Sequence, residues 1–129
     1  MTQSVAGILL CEGEVLLARR KSGGDMGGRW ELPGGKCEMG ETPETALIRE
    51  FHEEFGMAIT VGTACASTMF RHAGKDHQVT AFMISTEGAI AFLAEHDETH
   101  WFSLRALPPR RELVDSDADL LVQIGSTLR

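Results

Sequence analysis

The 129-residue chain has no tyrosine, only three cysteines, and twelve basic residues against nineteen acidic ones, and each shortage narrows what the protein can be. Cys11, Cys37 and Cys65 are odd in number, far apart and without a CxxC pair. That pattern argues against a disulfide scaffold and for a reducing cytoplasmic setting. A net charge of -7 repels polyanions at long range, so neither a nucleic acid polymer nor an anionic membrane surface is expected as the main partner. No apolar run approaches the ~18 residues of a spanning helix. Met1 to Leu10 has no basic residue ahead of its apolar run and meets Glu12 at once, unlike a signal peptide. Repeats, linkers and low-complexity stretches are also missing. With 43% hydrophobic residues, one domain over residues 1–129 is expected, large enough to fold without disulfides or a structural metal.

What is present is local punctuation. Val5 to Leu10 and Val15 to Arg19, separated by Cys11 to Glu14, read as two apolar strands joined by a short turn, and Lys21 to Gly28 as a glycine-rich loop. Trp30 to Gly35 is a short extended piece ending in a glycine turn. Thr42 and Pro43 start a helix that runs to Phe55 and stops at Gly56. Ala58 to Phe70 and Gln78 to Thr86 have strand composition, with Arg71 to His77 as the loop between them, and His100 to Ser103 forms a last short strand. Ser116 starts a second helix that turns Leu120, Leu121, Ile124 and Leu128 to the core. Because the strand-rich middle is hairpin-like, these elements predict an α/β layered domain with a mixed sheet.

The first helix carries the chemistry. At about 100° per residue, Glu50, Glu53 and Glu54 fall within one arc, beside an apolar face of Leu47, Ile48, Phe51 and Phe55. Like charges at i,i+4 repel, and hard divalent cations bound through carboxylate oxygens are the natural remedy. A solvated face on which Arg49 pairs with Glu53 is the plainer alternative.

The surroundings decide between these. From Gly35 the chain reads Gly, five residues, Glu41, seven residues, then Arg49-Glu50-Phe51-His52-Glu53-Glu54-Phe55-Gly56-Met57. This pattern resembles a complete Nudix box, the signature of the Nudix hydrolases. The run Pro33 to Glu44 further resembles the MutT-like branch, and the likeness takes in Ala18-Arg19-Arg20 upstream and Glu95 to Trp101 downstream.

The resemblance implies an α/β/α sandwich with the mixed sheet between helices, and cleavage of a nucleoside diphosphate linked to another group with Mg²⁺ or Mn²⁺. It implies a small nucleotide as partner. Glu50, Glu53 and Glu54 would supply carboxylates to metal, the Gly34 carbonyl would add an oxygen, and Arg49 would hold a glutamate in place. Glu95 would contact metal or activate water as the first choice of general base, with Glu98 second. Either Arg19 or Arg20 would meet substrate phosphates; alternation along a strand lets only one face the cleft, and Arg20 is favoured. Asp117 would read the base edge, accepting from guanine N1-H and N2-H or cytosine N4-H; alternatively it sits beside a Ser116–Asp119 capping pair. Trp30 either walls the base pocket or anchors its strand. The histidines, His52, His96 and His100 included, are read as solvated surface.

Absences also bear on the substrate. Relatives that cleave diadenosine polyphosphates tend to carry a tyrosine beyond the box, and ADP-ribose hydrolases a proline; this chain has no tyrosine and no proline between Pro43 and Pro108. Hydrolysis of a nucleoside triphosphate, oxidised or non-standard such as 8-oxo-dGTP, or of CTP or dCTP type, to the monophosphate and pyrophosphate is the expectation. A nucleotide sugar or ADP-ribose hydrolase, or a non-catalytic nucleotide sensor, is the alternative.

Overall fold

The computed structural model of the chain describes residues 2–127. Seven strands and two helices follow in the order β1 (Thr2–Cys11), β2 (Glu14–Arg20), β3 (Trp30–Glu31), β4 (Gly34–Lys36), α1 (Pro43–Phe55), β5 (Thr60–His72), β6 (Lys75–Ser85), β7 (His96–Ser103) and α2 (Asp115–Thr127), with a 3₁₀ turn at Arg110–Glu112.

β1 is the strand on which the sheet turns. On one edge it pairs in parallel with β6 from Thr2↔His77 to Leu9↔Ile84. On the other it meets β4 antiparallel near its start and β2 only at Leu10 and Cys11. β2 diverges from β1 beyond that point, and β3 and β7 pair with it. The sheet is mixed, and it opens between β4 and β2.

Strand alternation sends successive β1 and β2 side chains to opposite faces. Val5, Leu9, Leu16 and Ala18 pack with Ala46, Leu47, Phe51 and Phe55 of α1. Ala6, Ile8, Val15 and Leu17 pack with Leu120, Leu121 and Ile124 of α2. Each helix therefore covers its own face of the sheet. Gly7 marks how closely α1 approaches, since a Cβ there would lie 2.8 Å from the Phe51 ring.

α1 has the ends its sequence predicts. The Thr42 hydroxyl accepts from the Thr45 N–H, Pro43 opens the first turn, and Gly56 closes the helix at φ 64° with its N–H on the His52 carbonyl. Its faces differ from expectation at two positions: Ile48 is exposed and Glu54 is buried.

Elsewhere most strands run longer than predicted, while β5 keeps the expected length two residues later, from Thr60 to His72. Ala73 and Gly74, both at positive φ, turn β5 into β6 in two residues, so most of the expected 71–77 loop is strand. β7 begins at His96, four residues before the expected His100, and α2 begins one residue before Ser116. Leu128 lies outside the described residues.

β5 is an edge strand, and α2 satisfies backbone groups on its outer side. The Gln123 side chain accepts from the Ser67 N–H at 3.1 Å and donates to the Ser67 carbonyl at 2.8 Å. Gln123→Ala removes both bonds, and a loss of about 1–2 kcal/mol is expected in chemical denaturation, with turnover unchanged.

Candidate active site

Two adjoining cavities open where β4 and β2 part. One, of about 670 Å³, is lined by Lys21, Glu38, Arg49, Glu50, Glu53, Glu54, Glu95 and His96 among others. Its neighbour, of about 570 Å³, is lined by the β5–β6 hairpin tip (Phe70, Arg71, His72, His77) and by the start of α2 (Asp115, Ser116, Asp117). Arg20, Glu31, Gly34, Gly35 and Lys36 line both and form the wall between them. One end is a cluster of carboxylates; the other has a more apolar, aromatic lining.

The carboxylate end is built on α1. Arg49 clamps Glu41 with two bonds, Nε to Oε2 at 2.7 Å and Nη2 to Oε1 at 2.9 Å. The same guanidinium donates from Nη1 to Glu50 Oε1 at 3.0 Å and Glu53 Oε2 at 3.1 Å, and from Nη2 to the Lys36 carbonyl at 3.0 Å. This positive charge offsets Glu50 and Glu53, which repel at i,i+3, but does not reach Glu54, and it ties α1 to β4. The Arg49 hydrogen bond and the Glu38 N–H hold the Glu41 carboxyl below its ordinary range. A Cβ on Gly35 would press on the Glu50 carboxyl group and push that side chain aside, and one on Gly34 would clash with the Val5 backbone carbonyl, which cannot give way.

The β4 register also aims a backbone oxygen. Gly7 N–H donates to Pro33 and Cys37 N–H to Gln3, so Ala6↔Gly34 and Ser4↔Lys36 are the pairs that do not bond each other directly. The Gly34 and Lys36 carbonyls therefore point away from β1. That of Lys36 meets Arg49, and the strand alternation puts that of Gly34 on the same edge.

Glu54 is the buried member, 7% exposed, and its Oε2 has no hydrogen-bond partner. Burial, reinforced by the charges of Glu50, Glu31 and Glu95, pushes its carboxyl up to about 8. Burial likewise raises Glu50, against the pull of Arg49. Glu95 comes alongside because the segment before β7 bonds back to α1: Ala91 N–H donates to the Phe55 carbonyl at 2.9 Å, and Ala94 N–H to that of Glu54 at 3.0 Å. Glu98 does not join them. It pairs with Arg19 at 3.0 Å on the other face of the sheet, which removes it as an alternative base.

The two arginines separate as strand alternation requires. Arg20 lines both cavities and faces Glu31 at 3.6 Å, whereas Arg19 stands over the Trp30 ring at 5.8 Å and lines neither. Trp30 packs edge-on against Phe102, beside His100, and does not line the 570 Å³ cavity. It is an anchor of the α2-side core rather than a pocket wall.

Asp117 is 6% exposed and accepts from the Leu32 N–H at 3.2 Å through Oδ2. Burial, then the nearby Glu31 charge, pushes its carboxyl well above the usual range, against the pull of the Leu32 N–H and of Arg20. Asp119 turns to Arg110 at 2.8 Å, leaving the expected capping pair with Ser116 unformed.

One residue read as surface is buried. His96, 4% exposed, stacks on Phe55 with ring centroids 5.5 Å apart and meets Glu31 Oε2 through Nε2 at 2.7 Å. The signal was present in sequence only as the apolar run Ile90 to Ala94 before it, which presses this segment onto α1. His52 is exposed as expected.

Comparison with known proteins agrees with the box. The NUDIX domain model matches residues 1–123. The chain is 35% identical over 103 residues to the CTP pyrophosphohydrolase of Escherichia coli, covering 80% of this chain and 76% of that protein. It is 40% identical over 86 residues to the 8-oxo-dGTP diphosphatase of Proteus vulgaris, covering 64% and 75%. The crystal structure of the MutT NUDIX hydrolase from Burkholderia pseudomallei superposes with a TM-score of 0.81 at 27% identity, over 95% of this chain and 97% of that one. No helix among the described residues is long and apolar enough to cross a membrane. The box on α1, its clamp by Arg49 and the two-helix mixed-sheet architecture thus have one account: the chain belongs to the Nudix family, in its MutT-like branch, and is a Nudix hydrolase.

Proposed function

We propose that the protein hydrolyses a nucleoside triphosphate to the monophosphate and pyrophosphate, with the phosphates in the carboxylate cavity and the base beside Asp117. The observation that carries this reading is the pair of cavities sharing one wall, acidic on one side and partly aromatic on the other. A triphosphate and a base need opposite surroundings, and a nucleotide crossing the wall finds both.

Nudix enzymes generally need a divalent cation, and the residues fit one. Glu54 Oε2 is buried and without a partner, which costs stability unless an ion or proton meets it. Among the described residues no three acidic, histidine or cysteine side chains are already placed to hold a metal ion, and Arg49 engages Glu50 and Glu53 instead. Glu50, Glu53, Glu54, Glu95 and the Gly34 carbonyl are the proposed ligands, for Mg²⁺ or Mn²⁺, whose charge would offset that of the polyphosphate. Around it, Arg20 binds phosphate oxygens at the wall, Arg49 keeps Glu50 and Glu53 oriented, and the Glu95 carboxylate takes the proton of the attacking water. Water adds to phosphorus, the anhydride bond to the leaving pyrophosphate breaks, and no covalent enzyme intermediate forms. Cys11, Cys37 and Cys65 are free thiols, which suits work in a reducing cytoplasm.

The test is pyrophosphate and monophosphate release from normal and 8-oxo nucleoside triphosphates, with ADP-ribose and nucleotide sugars alongside, with and without Mg²⁺. Metal-dependent cleavage strongest on one triphosphate supports the reading. Turnover only of a sugar nucleotide or ADP-ribose overturns it, and binding without cleavage makes the protein a sensor.

Base choice has its own prediction. In Asp117→Asn the amide oxygen can still accept from Leu32 N–H, but the outward atom becomes a donor only. The fold is expected to hold, while the ratio of kcat/KM between cytosine and guanine triphosphates shifts by about tenfold or more. Equal losses on every base would show that Asp117 supports the wall without reading the base.

A further inference from the structure

We infer that His96 and Glu31 are positioning residues for Arg20, a relay that holds its guanidinium at the wall between the two cavities and couples it to α1. The inference rests on the proposed contact of Arg20 with substrate phosphates.

The Glu31 carboxylate has two oxygens and a different partner on each. Oε2 faces His96 Nε2 at 2.7 Å, and Oε1 faces Arg20 Nη1 at 3.6 Å. A carboxylate only accepts, so Nε2 carries the donated proton. His96 is in turn fixed by stacking on Phe55, the last residue of the helix that bears the box glutamates. Position is thereby transmitted from α1 through His96 and Glu31 to a side chain on β2 that is otherwise half exposed.

A register irregularity makes this possible. β2 and β7 pair in step from Glu14↔Ser103 to Arg19↔Glu98, then slip so that Arg20 meets His96 rather than Asp97. Since one residue of slip exchanges the faces of a strand, the bulge turns His96 inward to Arg20's face and sends Asp97 to solvent. Core packing alone does not call for a histidine here. Its Nδ1 is buried with no partner, a cost that a leucine against Phe55 would avoid. What histidine adds is a donor aimed at Glu31.

The experiment is a double-mutant cycle on the full chain. KM and kcat are measured for the best triphosphate, and Kd for its α,β-methylene analogue, in wild type, His96→Phe, Arg20→Ala and the double variant. His96→Phe keeps the stack and loses the donor; KM and Kd are expected to rise roughly tenfold with kcat within about twofold, and His96→Gln to recover most of the loss. In the Arg20→Ala background His96→Phe is expected to have no further effect. A His96→Phe effect that persists undiminished without Arg20, or that falls on kcat alone, overturns the inference. If His96→Phe does not fold, Glu31→Gln takes its place in the same cycle, with the same outcomes deciding. Arg20→Ala that leaves Kd and KM unchanged removes the phosphate contact and the relay with it; Arg20→Ala that weakens binding additively with His96→Phe removes the relay alone.

Discussion

Replacing Glu53 with glutamine is expected to lower turnover by about 10² or more while leaving the melting temperature nearly unchanged. The side chain is more than half exposed, and its one ion pair, with Arg49 at 3.1 Å, is of the surface kind that contributes less than about 1 kcal/mol. Arg49 loses little by the exchange, because its two-pronged hold on Glu41 and its bonds to Glu50 and Lys36 remain. Glutamine keeps the shape and removes the charge. If Glu53 is a metal ligand, the loss of one anionic oxygen donor takes away several kcal/mol of transition-state stabilisation, which is the source of the rate loss. Steady-state kinetics over a Mg²⁺ series, beside thermal unfolding, checks both halves of the prediction. Wild-type turnover with a wild-type metal requirement would place the working carboxylates elsewhere, on Glu50, Glu54 and Glu95.

The contrast between Glu53 and Glu54 shows where sequence stops informing. The limits of α1 were legible because a hydroxyl, a proline and a glycine act at single positions: Thr42 accepts an N–H, Pro43 needs none, and Gly56 takes a positive φ. The apolar alternation of β1 and β2 was legible for the same local reason. A helical wheel put Glu50, Glu53 and Glu54 in one solvent arc, but it has no knowledge of what lies opposite. The segment before β7 folds back on the end of α1 through Ala91 and Ala94, and that long-range contact buries Glu54 while leaving Glu53 outside.

His96 was hidden for a related reason. A strand assumed to begin at His100 leaves residue 96 in a loop, and only pairing with β2, with its slip at Arg20, turns the ring inward. Trp30 could not be assigned from sequence because a two-residue strand has too short an alternation to orient it; the neighbours that settle it, Phe102 and His100, come from a strand nearly seventy residues later. Elements defined by caps and turns were readable, and side chains defined by distant partners were not.

The buried Glu54 leads to the second large effect, on stability in the absence of metal. Its carboxyl sits at about 8 in the folded chain against an ordinary 4.5, so the folded state disfavours the ionised form. Below pH 4.5 the group is protonated folded and unfolded alike and costs nothing. As pH rises from there toward 8 the unfolded chain releases the proton while the folded chain retains it. Stability is therefore lost across that window and levels off above it. Between pH 5 and pH 8 the loss is about 3 kcal/mol, roughly 10 °C in melting temperature for a domain of this size. Glu54→Gln removes the ionisation. In EDTA it is expected to melt near wild type at pH 5 and several degrees above it at pH 8, even though its turnover falls with the lost carboxylate. Added Mg²⁺ should raise wild-type stability more at pH 8 than at pH 5 and should do much less for the variant. The three traces separate the parts of the argument. A wild-type melting temperature flat from pH 5 to 8 in EDTA would show that the folded chain tolerates a charged Glu54 without a cation. A slope unchanged by Glu54→Gln would assign it to other buried acids, of which Asp117 is the foremost. A slope that the variant abolishes, and that Mg²⁺ reduces in wild type, makes the stored cost of this one carboxylate a part of what draws the cation into the site.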